Sequence, residues 1–335
     1  MVNARTRKRW DESPRYGILW MLRVIISGGT GFVGKALVTA LCERGDDVVV
    51  LSRRRTEGGA QGLGARPESA AGAGKVELAI WTPEKAGEWS RVVDGADAVV
   101  HLAGAGVLDS NWTPERRAVL RSSRIRSTEL LAEAMVRAEK KPRVFVSCSA
   151  IGYYGTSTGD QILAEDAPPG DDFLARLVVD WEKAALPVRE SGVRLCTPRI
   201  GLVLGDGGML DQMLPAFRAF VGGPVGSGKQ YMAWIHLVDT VQSLVHALDT
   251  DLHGPFNVTA PEPVTMKVFA TAMGKAMGRP SLFRVPPFAV KLMLGDRSEA
   301  ILSGQRAVPK VLVDAGFAFV FPELDSALSD ILAKP

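Results

Sequence analysis

Residues 22–27 (LRVIIS) form a short apolar run rich in β-branched side chains and closed by two glycines. A strand apolar at consecutive positions, rather than at every second one, suits the interior of a parallel sheet covered on both faces. From Phe32 to about Arg44 the pattern becomes helical, and Gly45 supplies a C-terminal stop. Asp47–Leu51 (DVVVL), Val76–Ile80, Ala98–Leu102 and Arg143–Ser147 read as further strands. Pro114–Glu139 reads as one long helix with proline at its start, where the missing N–H is harmless, and Asp171–Arg189 as the next. Regular alternation of strand and helix predicts an α/β fold, a Rossmann-type doubly wound parallel sheet.

The rhythm changes after about residue 200. Glycine and proline punctuate short segments (GDGGML, VGGPVGSGK, APEPV), and Phe269–Met277 and Phe288–Leu294 look helical. GFAFVF (316–321) reads as extended, and Leu324–Leu332 as a last helix. This part is expected to form a smaller C-terminal α/β lobe that receives substrate. The predicted organisation is a disordered extension over 1–20, a Rossmann unit over 21–250 with lobe insertions from about 205, and a C-terminal lobe over 251–335. Residues 55–75, rich in Gly, Ala and Arg, read as a surface loop.

The 335 residues suffice for a sizeable core. The formal charge of +3 resides in the extension: outside residues 1–20 there are 35 basic and 35 acidic side chains. A neutral body without a basic, aromatic-studded stripe argues against nucleic acid and anionic membrane as partners. No apolar run reaches the roughly 18 residues of a spanning helix, and the first residues lack the apolar core of a secretory signal. Cys42, Cys148 and Cys196 form neither a CxxC pair nor a metal-ligand spacing, so buried thiols, no metal and a reducing, cytoplasmic setting are expected.

Candidate chemistry begins directly after the first strand. Gly28-Gly29-Thr30-Gly31-Phe32-Val33-Gly34 has the spacing GxxGxxG and opens the first helix. Gly28 can make the tight turn, Gly31 lets backbone approach a pyrophosphate, and Gly34 lets helix pack against strand. The helix N-terminus offers unpaired N–H groups and a positive dipole end. Position between strand and helix makes this a dinucleotide-binding pattern. After the second strand comes Leu51-Ser52-Arg53-Arg54-Arg55 rather than the acid that would hold a ribose 2′-hydroxyl. Arg53 and Arg54 suit a 2′-phosphate, so the expected cofactor is NADP(H).

Further segments extend the pattern: His101-Leu102-Ala103-Gly104; Ser147-Cys148-Ser149 with Gly152-Tyr153-Tyr154-Gly155; Pro198 to Gly205; and Trp234 to Asp239. Together these resemble the extended short-chain dehydrogenase/reductases, whose members include sugar-nucleotide epimerases and dehydratases. Residues 226–239 (GSGKQYMAWIHLVD), 254–258, 284–295 and 302–319 are similar to the epimerase-like family that includes bacterial YfcH. The last two segments look like that family's C-terminal domain of unknown function, about 284–332. The resemblance spans about 21–332. It implies that Gly28, Thr30, Gly31, Phe32 and Val33 line the pyrophosphate and that Arg53 and Arg54 meet the 2′-phosphate. It further implies that Leu102, Ala103 and Gly104 pass beneath the adenosine and nicotinamide ribose, with Ser149 near the nicotinamide and Pro198, Arg199 and Ile200 on its other side. Related folds dimerise through helices equivalent to Pro114–Glu139 and Asp171–Arg189, which makes a homodimer an expectation.

One departure limits what the resemblance implies. The superfamily's chemistry uses Tyr-x-x-x-Lys, the tyrosine exchanging a proton with substrate and the lysine lowering its pKa. The helix at 171–189 contains no tyrosine, and its one lysine, Lys183, follows Val179 by four. Two readings stay open. In one, the protein is an oxidoreductase or epimerase-like enzyme on an unidentified small molecule, with Tyr154 or Tyr153 as displaced proton donor and Ser149 polarising the carbonyl. In the other, it binds NADP(H) without turnover, as a redox sensor or partner-binding module. Trp112, Gln230, Tyr231 and Trp234 are candidates for a substrate pocket. His101 and His236 read as structural histidines, and Glu165 and Asp166 as turn or cap residues.

Overall fold

The computed structural model describes residues 21–54, 73–156 and 158–333. The expected extension over 1–20 and most of the 55–75 loop lie outside the described residues. Seven strands form one parallel sheet: β1 (Arg23–Ser27), β2 (Asp47–Ser52), β3 (Val76–Ile80), β4 (Ala98–His101), β5 (Val144–Ser147), β6 (Arg194–Ile200) and β7 (Gly254–Val258). Their spatial order is β7-β6-β5-β4-β1-β2-β3, with Ser149–Ala150 adding a short parallel pairing to β6. The order reverses between β1 and β4, the switch point outside which ligands of doubly wound sheets bind.

The consecutive apolar residues of β1 feed two cores. Val24 and Ile26 face one cluster with Leu37 and Leu41, while Ile25 faces the other with Leu131 and Met135. In chain order the helices are α1 (Phe32–Arg44), α2 (Pro114–Ser122), α3 (Ile125–Arg137), α4 (Phe173–Ala185), α5 (Met209–Arg218), α6 (Leu237–Asp249), α7 (Met266–Met277), α8 (Pro287–Leu294), α9 (Glu299–Leu302), α10 (Lys310–Asp314) and α11 (Leu324–Leu332). α1 and α6 cover one face of the sheet, and α3 the other.

The structure differs from the sequence reading in four places. The single helix expected over 114–139 is two, α2 and α3, because Ser127 and Thr128 turn their hydroxyls back onto the carbonyl oxygens of Ser123 and Arg124. Such bonds compete with the regular ladder and bend helices. The helix expected over 171–189 starts at Phe173 and changes at Leu186-Pro187 into a 3-10 turn, Leu186–Ser191. Residues 316–321 form no strand; the Asp239 carboxylate accepts the Val320 and Phe321 N–H groups at 2.7 and 2.9 Å instead. The sheet ends with β7 at 254–258, beyond residue 250, where the Rossmann unit was expected to stop.

The smaller lobe gathers Leu204, Phe217, Trp234, Phe269, Met273, Leu324 and Leu328 into its own core. Short pairings stitch it together: Leu202–Leu204 with Trp234–His236, and Tyr231–Met232 with Val264–Thr265. Residues beyond α8 then reach back over the sheet. Arg297 donates to the Leu108 carbonyl at 2.7 Å, Gln305 to the Gly155 carbonyl at 2.6 Å, and Arg306–Ala307 pairs with Ile162–Leu163. The C-terminal segment thereby closes over the carboxyl end of the sheet.

Candidate cofactor and active site

The chain leaves β1 and turns at Gly28, where φ is +78°. A Cβ there would stand 2.7 Å from both the Ala103 nitrogen and the Leu102 carbonyl carbon. Only glycine allows this turn to touch the loop after β4. Gly31 caps α1 without a side chain, and no acid lies in the first turn, so the helix N-terminus is free to meet an anion. At Gly34 a Cβ would lie 2.1 Å from the Gly28 oxygen, so helix and turn close on each other. A dinucleotide pyrophosphate fits this cradle. Thr30 and Gly31 are exposed at its rim. Val33 packs into the core. The Phe32 ring instead lies against Gly205, Gly207 and Gly208, where added Cβ atoms would come within 2.9 to 3.3 Å of it. Phe32 therefore offers the cradle its backbone, and its ring braces the lobe.

Arg53 and Arg54 follow β2 and both are exposed. Ser52 shapes their turn, its hydroxyl donating to the Arg54 carbonyl at 2.6 Å. Neither guanidinium forms a salt bridge among the described residues.

Past β4, Leu102, Ala103 and Gly104 run along the same edge. His101 beneath them is fully buried between Ser27 Oγ at 2.5 Å and Ser127 Oγ at 3.0 Å. Burial pushes its pKa down to about 3, so it is a neutral brace between β1, β4 and α3. Sequence reasoning missed Arg124. Its guanidinium sits where a Gly104 Cβ would lie 3.2 Å from Cζ, and it stacks 5.3 Å from the Trp181 ring. No carboxylate pairs with it among the described residues. Burial, with the charge of Arg116 adding, lowers its pKa to about 10. A largely desolvated, unpaired cation beside the cofactor loop can hold ribose hydroxyls or an anionic group.

The end of β5 opens onto a connected polar network. Ser149 donates to Glu182 Oε1 at 2.6 Å. Arg199 grips both oxygens of Glu182, at 2.9 and 3.1 Å, and donates to Tyr154 Oη and the Glu165 carbonyl, each at 3.1 Å. Tyr154 in turn donates to Asn257 Oδ1 at 2.7 Å. The Arg199 guanidinium lies 3.4 Å over the Tyr153 ring. Burial opposes the Arg199 charge, but the hydrogen bonds and charge of Glu182 outweigh it and hold the pKa above its ordinary value.

These contacts bear on several expectations. Tyr154 is buried, and burial raises its pKa despite Arg199 and Asn257. Its hydroxyl donates to Asn257 and accepts from Arg199, which ties it into the network. Arg199 turns its head into the network, while Pro198 is buried and Ile200 half-buried beside it. Trp112 is buried against Leu120 and Leu177, with Nε1 donating to the Val107 carbonyl at 2.8 Å. Trp234 is fully buried in the lobe, donating to the Glu262 carbonyl. Both indoles are thus packed and hydrogen-bonded within the protein. Gln230 braces the loop through the Val225 and Ile301 carbonyls, and Tyr231, half-buried, lies under Arg306. Tyr153 stays half-buried at the network's edge. His236 caps α6, accepting from the Val238 N–H at 3.1 Å. Glu165 does more than cap a turn: it is buried and accepts the Asn257 and Val311 N–H groups, tying β7 to the C-terminal segment. Asp166 is exposed.

Sequence reasoning also missed Glu182 and Asn257. A usable signal was Arg199 itself, because an arginine inside the buried strand LCTPRI demands a carboxylate partner.

Residues 24–259 match the NAD dependent epimerase/dehydratase family, and residues 285–331 match DUF1731, a domain of unknown function. The chain belongs to the NAD dependent epimerase/dehydratase family. Among family relatives, epimerase family protein ML0860 of Mycobacterium leprae is 38% identical over 315 residues, covering 93% of this chain and 96% of that protein. The SDR39U1 homolog of Arabidopsis thaliana, described as chloroplastic, is 37% identical over 93% of this chain and 87% of its own. Human epimerase family protein SDR39U1 (isoform 2), solved with NADPH, superposes with a TM-score of 0.81 at 33% identity, covering 94% of this chain and all of that one. MoeE5, in complex with UDP-glucose and NAD, shares the fold at 21% identity with a TM-score of 0.72, covering 93% and 97% of the two chains.

Proposed function

We propose that the protein is an NADP(H)-dependent oxidoreductase or epimerase-like enzyme acting on a small molecule, and that it works without a Tyr-x-x-x-Lys dyad. We also place it with the YfcH-like members of its family, on the motifs at 226–239 and 284–319. One observation carries the cofactor reading: a glycine cradle flanked by exposed Arg53 and Arg54, with no carboxylate at the end of β2. The human relative solved with NADPH supports it.

The bound nicotinamide would supply hydride exchange with a substrate carbon. The chain's own part is to move the proton. α4 contains no tyrosine and sets Leu174 and Val178 beside Gly152. Ser149 already donates to Glu182 and therefore presents an acceptor oxygen to a substrate hydroxyl. It can take that proton while passing its own to Glu182, and the reverse transfer serves reduction. Arg199 fixes the carboxylate in place. Tyr153 is the remaining phenol at the edge of this network. On this reading the protein acts in the cytoplasm as a homodimer through α2, α3 and α4, whose surface leaves Val119 and Val136 exposed.

The second reading, a protein that binds NADP(H) without turnover, draws on the commitment of Tyr154 to Asn257 and Arg199. A panel of carbonyl and sugar-nucleotide substrates separates the two. The enzyme reading expects NADPH oxidation by wild type, abolished in Ser149→Ala and Glu182→Gln with cofactor affinity retained. Loss of turnover in Tyr153→Phe alone would move the proton to Tyr153. Tight NADPH binding with no turnover on any substrate would favour the second reading.

A further inference from the structure

Away from the cofactor cradle, the molecule shows an apolar face that neither the fold nor the proposed chemistry uses. Leu282, Phe288, Leu292 and Met293 are 73–86% exposed, and Phe220, Val221 and Phe283 are more than half exposed or at half. They are contiguous. Phe283 donates to the Gly222 carbonyl, Val285 pairs with Val225, and Gly223 lies against the Phe283 backbone. α8 follows directly. It is anchored by buried Val290, while Phe288 and Leu292, four residues apart, share the opposite, outward side.

Two features make this face more than a frayed edge. Phe220 is the single non-glycine residue with a left-handed backbone among those described, at φ +61°. A bulky aromatic held there is strained, and the strain leaves its ring outside under Arg279, 4.4 Å from the guanidinium carbon. The charge is also one-sided. Residues 212–226 and 279–295 contain Arg218, Arg279, Arg284 and Lys291, while the acids Asp211 and Asp296 stand just outside them, Asp296 being paired with Arg117. Protruding apolar side chains with a basic excess around them suit an interfacial surface that meets anionic lipid. A second copy is a poor occupant, because a twofold contact would set this basic surround against itself. No helix among the described residues is long and apolar enough to cross a membrane, so the contact is peripheral.

We propose that the face formed by residues 220–222 and 282–293 docks the protein onto an anionic membrane surface. α8 lies in the plane of the interface, with Phe288, Leu292 and Met293 inserted among the acyl chains. Lys291, Arg279 and Arg218 meet the lipid phosphates. This revises the expectation drawn from overall charge, since the fold collects basic residues that the neutral total conceals.

The test is sedimentation of the full-length protein, with NADPH present, against vesicles of phosphatidylcholine alone or of 70% phosphatidylcholine and 30% phosphatidylglycerol. The expected result is at least tenfold stronger binding to the anionic vesicles, weakened by raising salt from 0.1 to 0.5 M. Phe288→Ser with Leu292→Ser should lower that binding tenfold or more, and Lys291→Glu several-fold, with melting temperature and NADPH affinity unchanged. The proposal is overturned if wild type binds neither vesicle, or if binding survives the double substitution. It is equally overturned if the double substitution only converts an oligomer to monomer, which would assign the face to a second copy.

Discussion

Arg199→Leu tests the network that holds Ser149 and Glu182 in place. In the folded protein Arg199 is 3% and Glu182 16% exposed, joined by two hydrogen bonds of 2.9 and 3.1 Å. Removing one partner of a buried ion pair costs about 3–5 kcal/mol, because the other charge is stranded. Glu182 keeps the Ser149 hydroxyl and some solvent, which places the loss near the lower end, about 3 kcal/mol. For a chain of this size that is a fall of about 4 °C in melting temperature. Glu182→Gln removes the opposite charge but leaves Arg199 its bonds to Tyr154 and the Glu165 carbonyl. In Arg199→Leu/Glu182→Gln the stranded charge is gone, so the double variant should be more stable than the sum predicts by about 2 kcal/mol. Urea unfolding followed by tryptophan fluorescence, with Trp181 beside Glu182 in α4, measures all four corners of the cycle. Additivity within about 0.5 kcal/mol would refute the network as a coupled unit.

Other consequences follow from the same geometry. His101 has its pKa lowered to about 3 by burial, so the unfolded chain takes its proton at a higher pH than the native one. The stability it contributes is present above about pH 6.5 and is lost at up to about 1.4 kcal/mol per unit as pH falls toward 3. The difference in unfolding free energy between wild type and His101→Gln should therefore shrink with acidification; a pH-independent difference would contradict this. Gly34→Ala places a methyl group 2.1 Å from the Gly28 oxygen, and no side-chain rotation relieves it. Overpacking of about 3 kcal/mol, less about 1 kcal/mol of helix propensity, gives a net loss near 2 kcal/mol, together with weakened NADPH binding by titration calorimetry. Arg124→Gln should weaken NADPH tenfold or more while leaving 2′,5′-ADP, which lacks the nicotinamide ribose, within twofold of wild type.

What the sequence revealed was local and periodic. The buried run of β1, the glycine spacing into α1 and the arginines after β2 are read within a few residues, and the structure assembles them at one edge of the sheet. What stayed hidden depends on partners distant in the chain. The network links Ser149, Glu182, Arg199 and Asn257 across more than 100 residues, so Tyr154 looked free when its hydroxyl was committed to Asn257. Trp234 sits in a glycine-punctuated segment that suggests a loop, yet the α7 and α11 side chains bury it. Residues 316–321 have the composition of a strand, but a single buried carboxylate, Asp239, takes the N–H groups a strand partner would have used. The helix expected over 114–139 broke where Ser127 and Thr128 bond back to the chain, an effect that apolar periodicity does not register.

The central claim is that the glycine cradle and Arg53–Arg54 select NADP(H). Titration of NADPH and NADH into wild type and into Arg53→Ala/Arg54→Ala tests it most directly. The account predicts that wild type prefers NADPH by about 1–3 kcal/mol per charge-assisted contact to the 2′-phosphate, at least tenfold. In the double variant NADPH affinity should fall to that of NADH while NADH itself is unchanged. Equal affinity for the two cofactors in wild type, or an NADPH preference that survives both substitutions, would contradict it.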